Sequence, residues 1–313
     1  MASLNETIAA LDRLPALPAT TIQLISMLAG EGRDTDLHEV EKIVSRDEAV
    51  AASVLRRANS AAFGMRGRVA GISDAIRRLG TRELCRIALE TQTSGLLANA
   101  GRSYGLRRGS LSQSALGGAV AADALARAHT SSHRIDREVA FVATLLRDIG
   151  KLAIDAVAGA DALEKIAAAA DGRPFLAYER EVFGADHAEL GAMLCQRWSL
   201  PDEIVRAVRG HHEPPSSPSE PLTDIVHAAD CVARWAGLGL GCDGLMYPFD
   251  IGVRERLGTT RDELEALVAD VLAATATQPT PGILNSGNLN SGTLHSGTLH
   301  SGTKPGNALK RTA

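Results

Sequence analysis

Five side chains between residues 148 and 230 could hold a divalent cation: Asp148, His187, the adjacent His211 and His212, and Asp230. Imidazole nitrogen and carboxylate oxygen suit borderline divalent metals, which polarise a phosphate ester or activate water. These residues lie far apart in sequence, so spacing alone does not assemble them. Each has a structural alternative. His187 could be a helix N-terminal residue hydrogen-bonded to a neighbour. Asp148 could cap a helix or pair with Arg147 or Lys151. Asp230 could be a buried acid satisfied by backbone or arginine donors, as buried charges must be.

The elements that would position them read as helices throughout. Leu14-Pro15-Ala16-Leu17-Pro18 is a rigid, non-helical lead-in, because each proline pushes the residue before it out of the α region. Thr20 or Thr21 is expected to cap a helix carrying Ile22, Leu24, Ile25 and Leu28, closed near Gly30. Asp36 starts a second helix. Asp47 starts a third, ending around Phe63-Gly64. Ser73 is the expected N-cap of a short helix that Gly80 stops, and Thr81 opens the next. Beyond a Gly/Arg-rich break at Gly101–Gly109, helices are expected over 111–129, 136–148, 152–170, 185–198, 201–210, 222–235 and 262–274. No convincing alternating strand occurs. Asn59, Gly64 and Gly80 are expected to be turn and cap residues. With positive φ at Gly80, a β-branched replacement should cost ~1 kcal/mol or more.

Composition agrees with helices. Of 313 residues, 45% are hydrophobic but only 3% aromatic. Alanine makes up much of the apolar fraction, and alanine favours close-packed helices over sheets. The net charge of -4 gives no global reason to expect nucleic acid or an anionic membrane. Charge is locally uneven: Arg66 to Gly109 holds nine arginines and no lysine against Asp74, Glu83 and Glu90. Such a segment is either a basic face for phosphate or acidic partners, or a set of solvated helix faces. The four cysteines form no Cys-x-x-Cys pair and read as free thiols in a reducing compartment. No signal peptide and no membrane-spanning apolar window is evident, so a cytoplasmic protein is expected. From Gln278 the character changes, and Leu284 to Thr303 form four Leu-x-Ser-Gly-x pentads. One leucine per repeat buries too little to offset chain entropy, so residues 278–313 are expected to be disordered.

Several segments in order carry a more specific signal. They are Leu14 to Pro18, Ile43-Val44-Ser45-Arg46-Asp47-Glu48-Ala49, Val54-Leu55-Arg56-Arg57-Ala58-Asn59-Ser60-Ala61, and Ile72-Ser73-Asp74-Ala75-Ile76-Arg77-Arg78-Leu79-Gly80. After them come Asp148-Ile149-Gly150-Lys151, Asp186-His187-Ala188-Glu189-Leu190-Gly191 and Trp198-Ser199-Leu200-Pro201. With these the chain resembles HDOD-domain proteins over about residues 7 to 240. That bacterial signalling family is related to HD-type phosphohydrolases and generally lacks a complete metal site. The resemblance implies an all-α, HDOD/HD-like helical bundle. A helical subdomain over 1–105 would pack on an HD-like subdomain over 106–277.

The resemblance also assigns roles. In catalytic HD relatives an earlier helix supplies a histidine, and the best-matching position here is Gln113. The His-Asp pair is Arg147-Asp148. His187, His211, His212 and Asp230 match other ligand positions, without the Gly-Tyr-Pro signature after His212. Two ligand positions are thereby lost, since an amide is a poor substitute for imidazole and a guanidinium repels a cation. The site so defined (Gln113, Arg147, Asp148, His187, His211, His212, Asp230) is expected to be degenerate, with Arg147 paired to Asp148 or Asp230. No metal or cofactor is expected; any metal bound would fall to Asp148, His187, His212 and Asp230. The implied function is a non-catalytic signal-transduction scaffold or regulator, a pseudoenzyme whose partners are other signalling proteins. The alternatives are a metal-dependent phosphohydrolase of a nucleotide and a metal-independent sensor of phosphate or nucleotide. Membrane and nucleic acid are not expected partners.

Overall fold

Apolar residues recurring at helical spacing build almost everything in the computed structural model of this chain. It describes residues 4–29, 37–60, 67–129, 135–158, 174–244 and 246–276. Among these residues there are fifteen α-helices and no strand. The first six are α1 (Leu4–Leu11), α2 (Ala19–Ala29), α3 (Leu37–Arg46), α4 (Glu48–Ala58), α5 (Ile72–Leu79) and α6 (Thr81–Leu97). Then follow α7 (Ser110–Ala128), α8 (Arg137–Leu146), α9 (Lys151–Val157), α10 (Phe175–Phe183) and α11 (His187–Arg197). The last are α12 (Asp202–Gly210), α13 (Pro221–Trp235), α14 (Ile251–Leu257) and α15 (Arg261–Ala276). None of them is long and apolar enough to cross a membrane.

One apolar core runs through both halves of the chain, from Leu11 and Leu24 through Leu84 and Leu111 to Val208 and Tyr247. A second joins Ala121 and Leu125 on α7 to Ile225 and Val232 on α13, Val253 on α14 and Val271 on α15. Helices α7, α8 and α13 pack together at the centre, and α11 packs against α9 and α12. Cys85, Cys195 and Cys231 are buried free thiols whose burial pushes each up to about 12. Thiols held in that form are inert packing groups.

Asp47 caps α4 through Oδ1, which accepts from Ala49 N at 2.9 Å and Val50 N at 3.1 Å. Asn59 then closes the helix as a turn residue. Its side-chain amide donates to Leu55 O and Val69 O at 2.8 Å, and its Oδ1 accepts from Val69 N at 2.8 Å. Gly80 stops α5 at φ 79° and ψ 162°, a conformation open essentially only to glycine.

Several expected boundaries are corrected. α2 starts at Ala19 on the Pro18 carbonyl, which accepts from Thr21 N and Ile22 N, so neither Thr20 nor Thr21 is its cap. The Thr21 hydroxyl instead donates to Gln92 Oε1 at 2.6 Å and ties α2 to α6. Gly71, not Ser73, occupies the N-cap of α5, and the Ser73 hydroxyl bonds the Glu41 carboxylate across to α3. In both cases a tertiary acceptor outcompetes the local cap. α4 ends at Ala58 because Asn59 turns the chain. The helices α1, α10 and α14 were not expected. Gly30, Asp36, Phe63, Gly64, Arg66, most of 152–170 and the pentad segment 278–313 lie outside the described residues.

Candidate active site

Two glycines bring the site together. The turn after α8 carries Arg147, Asp148 and Gly150, and α11 begins at His187. A Cβ on Gly150 would lie 1.9 Å from His187 O and 2.5 Å from Gly191 N. The Asp-Ile-Gly-Lys turn can touch the start of α11 only because neither glycine carries a side chain. Asp186 caps α11 in a reciprocal box: its Oδ1 accepts from Glu189 N at 2.7 Å, and Glu189 Oε2 accepts from Asp186 N at 3.0 Å. That box sets the first turn, and the first turn aims His187 inward. His211 and His212 follow α12, and Asp230 faces them from the middle of α13.

Asp148, His187, His211 and His212 are all buried, and each offers a ligand atom within 4.8 Å of the others. Asp230 joins their edge, with Oδ2 3.7 Å from His212 Nδ1. Gln113 does not join them. It is half-buried on α7 and makes no hydrogen bond to this group among the described residues. Ser114, one residue on and therefore a helical step around α7, is the residue that reaches the site. Its hydroxyl accepts from Arg147 Nη2 at 2.7 Å.

Arg147 is wholly buried. Its Nε donates to Asp230 Oδ1 at 2.7 Å and lies 3.4 Å from Asp148 Oδ2. Its terminal nitrogens donate to the carbonyls of Thr144 at 3.0 Å and Ser114 at 3.2 Å. Gly118 makes the room: a Cβ there would stand 2.6 Å from Arg147 Nη1. Arg234, four residues after Asp230, takes the other oxygen at 3.0 Å. Lys151 bridges Asp148 Oδ1 at 2.9 Å and Asp243 Oδ2 at 3.0 Å.

Burial alone would raise these carboxyls. At Asp148 it is outweighed by Lys151 and Arg147, and at Asp230 by Arg234 and Arg147, so both stay ionised well below the usual range.

The histidines differ in state. Burial opposes charge on His187, but Glu179 outweighs it and raises the imidazole above its ordinary value. Glu179 Oε2 lies 2.7 Å from His187 Nδ1 and also accepts from the His187 backbone N at 2.8 Å. The Tyr104 hydroxyl holds Glu179 from its other oxygen at 2.6 Å. His187 Nε2 faces His212 Nε2 at 3.0 Å. With His187 protonated it donates to both, leaving the His212 proton on Nδ1 and facing Asp230; this assignment follows from the network. Burial lowers His211 to about 4, and burial with His211 and His187 nearby lowers His212 well below the ordinary value. His211 Nδ1 donates to Val208 O at 2.7 Å, while its Nε2 has no partner. His227 is fully engaged, donating to His211 O at 2.8 Å and accepting from Asp250 N at 3.0 Å.

The family model for the HDOD domain matches residues 14–214. The chain belongs to the HDOD family. A curated relative from Treponema pallidum, an uncharacterized protein, is 29% identical over 72% of this chain. That match covers only 43% of the relative's own length. Solved structures share the fold. An HDOD domain protein of unknown function from Geobacter sulfurreducens superposes with a TM-score of 0.70 at 24% identity, over 88% of this chain and 96% of its own. A proposed phosphohydrolase from Shewanella amazonensis gives 0.63 at 26%, over 85% and 93%. A proposed signal transduction protein from Marinobacter aquaeolei gives 0.68 at 20%, over 87% and 63%.

Glu179, Lys151, Arg234, Asp243 and Tyr247 complete the site and were not among the expected site residues. Two signals were available. Lys151 is three residues from Asp148 and Arg234 four from Asp230, the spacings at which helical side chains meet. Glu179 sits on the unexpected α10, and Asp243 and Tyr247 sit on a loop with no periodicity to read.

Proposed function

We propose that this HDOD protein is a non-catalytic regulator of bacterial signalling, whose HD-type site is a structural ion-pair core and whose partners are other signalling proteins. The observation that supports this is Arg147. A guanidinium carries a permanent charge and no lone pair, and this one is bonded to a carboxylate that would otherwise be open to an ion. The carboxylates already have partners. Arg147, Lys151 and Arg234 face Asp148, Asp230 and Asp243, and Glu179 holds the His187 imidazole above its ordinary value. A divalent ion would add charge to a dry cluster in which unbalanced charge is expensive. Within the cluster, His211 Nε2 and His212 Nδ1 have no hydrogen-bond partner, and with His187 protonated and donating to His212, the free lone pair is the one on His211 Nε2. As arranged, the donor set does not fit a resident metal.

Elemental analysis of the protein, purified without chelator and with a tag free of histidine, tests this. No stoichiometric metal is expected, and Arg147→His alone should not create tight binding, because Lys151 still holds Asp148. Near-stoichiometric iron, manganese or zinc in the unaltered protein would overturn the proposal.

One observation favours a second reading, a metal-dependent phosphohydrolase of a nucleotide: the 4.8 Å cluster of Asp148, His187, His211 and His212. The Shewanella relative, itself a proposed phosphohydrolase, points the same way. On that reading His211 replaces Asp230 among the ligands, because Asp230 is held by two arginines.

A further inference from the structure

The loop between α13 and α14 lies directly on the histidine cluster. Gly241 presses against Tyr104, where a Cβ would stand 2.4 Å from the carbonyl oxygen, and Cys242 N donates to that oxygen at 2.8 Å. Asp243 turns in to Lys151, and the Met246 N–H closes the turn onto Asp243 O at 2.9 Å. Tyr247 then lies flat on His212, with ring centroids 3.7 Å apart and planes 9° apart. Phe175 meets the Tyr247 ring edge-on at 5.7 Å. Arg234 secures the far end by donating to Tyr247 O at 2.8 Å. The loop is thus anchored on Tyr104 at one end and Arg234 at the other, with an ionic contact and an aromatic contact between.

We propose that Gly241–Gly244 and Met246–Tyr247 form a strap, latched by Lys151–Asp243 and by the stack of Tyr247 on His212, that shuts the histidine cluster off from solutes. Two features distinguish it from ordinary core. Asp243 and Tyr247 are only 3% and 6% exposed although both sit in a loop, which normally lies on the surface. Lys151 is shared between the strap and the site, since one ammonium serves Asp243 and Asp148 together. Anything that takes Asp148 from Lys151, or Lys151 from Asp243, loosens the closure. The inference rests on the site being closed and not on its lacking metal, so elemental analysis decides the function proposed above while accessibility decides this one.

The probe is diethylpyrocarbonate, with each histidine read by peptide mass spectrometry in the full chain. In the unaltered protein His212 should react at least ~10-fold more slowly than exposed His38, because it reacts only through local opening. Tyr247→Ala should raise the His212 rate by ~10-fold or more while His227, inside α13, stays protected. Asp243→Asn should give a smaller rise in the same sense, and Tyr247→Phe, which keeps the ring and loses only the 3.4 Å hydroxyl contact to Asp243 Oδ2, a smaller one still. A His212 rate that stays low in Tyr247→Ala and Asp243→Asn variants with unaltered circular dichroism would overturn the strap. So would a parallel rise at His227, because the loop would then open only with the whole fold.

Discussion

The lobe of α3 to α6 and the cluster around Asp148 use the same chemistry at different depths. In the lobe, Arg77 pairs with Asp74 while their side chains are 72% and 53% exposed. In the cluster, Arg147 pairs with Asp230 at 0% and 3%. Water screens the first pair, which is worth about 0–1 kcal/mol. The second pair has lost its water, and removing one partner strands a charge at about 3–5 kcal/mol. Carboxyls show the contrast again. Glu90 on α6 is raised to about 7, because burial outweighs its nearest cation, Arg57. Asp148 is the more deeply buried of the two, its side chain 6% exposed against 15% for Glu90, yet it is lowered, because Lys151 and Arg147 together outweigh burial. Depth sets how much a charge matters, and the number of partners sets its direction.

The largest effect should come from Arg147→Met. It keeps much of the volume and leaves Asp148 and Asp230 short of a cation, so a loss of about 3–5 kcal/mol is expected in urea unfolding. An unchanged midpoint would mean that Arg234 and Lys151 suffice, and the contrast with the surface pair would collapse.

The next effect is a pH dependence with opposite signs in the two regions. His211 is held neutral, with a folded value of about 4 against the ordinary 6.5. Between those values the unfolded chain binds more protons, so this contribution is lost as pH falls from 6.5 towards 4, by up to about 1.4 kcal/mol per unit. Glu90 acts the other way. Its folded value exceeds its unfolded one, so stability falls as pH rises from about 4.5 to 7. Glu90→Gln should therefore stabilise the protein relative to the unaltered chain more at pH 8 than at pH 5. A pH-independent difference would remove Glu90 from the comparison.

Gly80→Val comes next. Nothing lies within 4 Å of the Cβ it would add, so the penalty is purely one of backbone conformation at φ 79°. About 1 kcal/mol or more is expected as a lowered melting temperature, and an unchanged one would show the turn to be adaptable. The smallest effect is Arg77→Ala, which should change stability by under about 0.5 kcal/mol and become indistinguishable from zero at high salt.

Local rules were legible where the decisive partner is close in sequence. The cap at Asp47, the stop at Gly80 and the turn at Asn59 each depend on atoms a few residues away. Thr21 and Ser73 misled because their hydroxyls bond Gln92 and Glu41 on other helices. The arginine-rich stretch was ambiguous for the same reason. Arg86 turns inward between Asp123 and Glu138, and Arg77 lies on the surface beside Asp74.

The sequence by itself determined an all-α HDOD fold, because helical periodicity and caps are local and the ordered motifs are characteristic of the family. The resemblance it carries implies that Arg147 stands at the position of the histidine in the His-Asp pair of HD relatives. Only the tertiary structure decided which long-range partners meet: Ser114 rather than Gln113, Glu179 behind His187, and Asp243 and Tyr247 over the cluster. The charge state of each buried group follows from that meeting. Desolvation is felt only once the chain has closed around the site, and its outcome depends on which ions close with it.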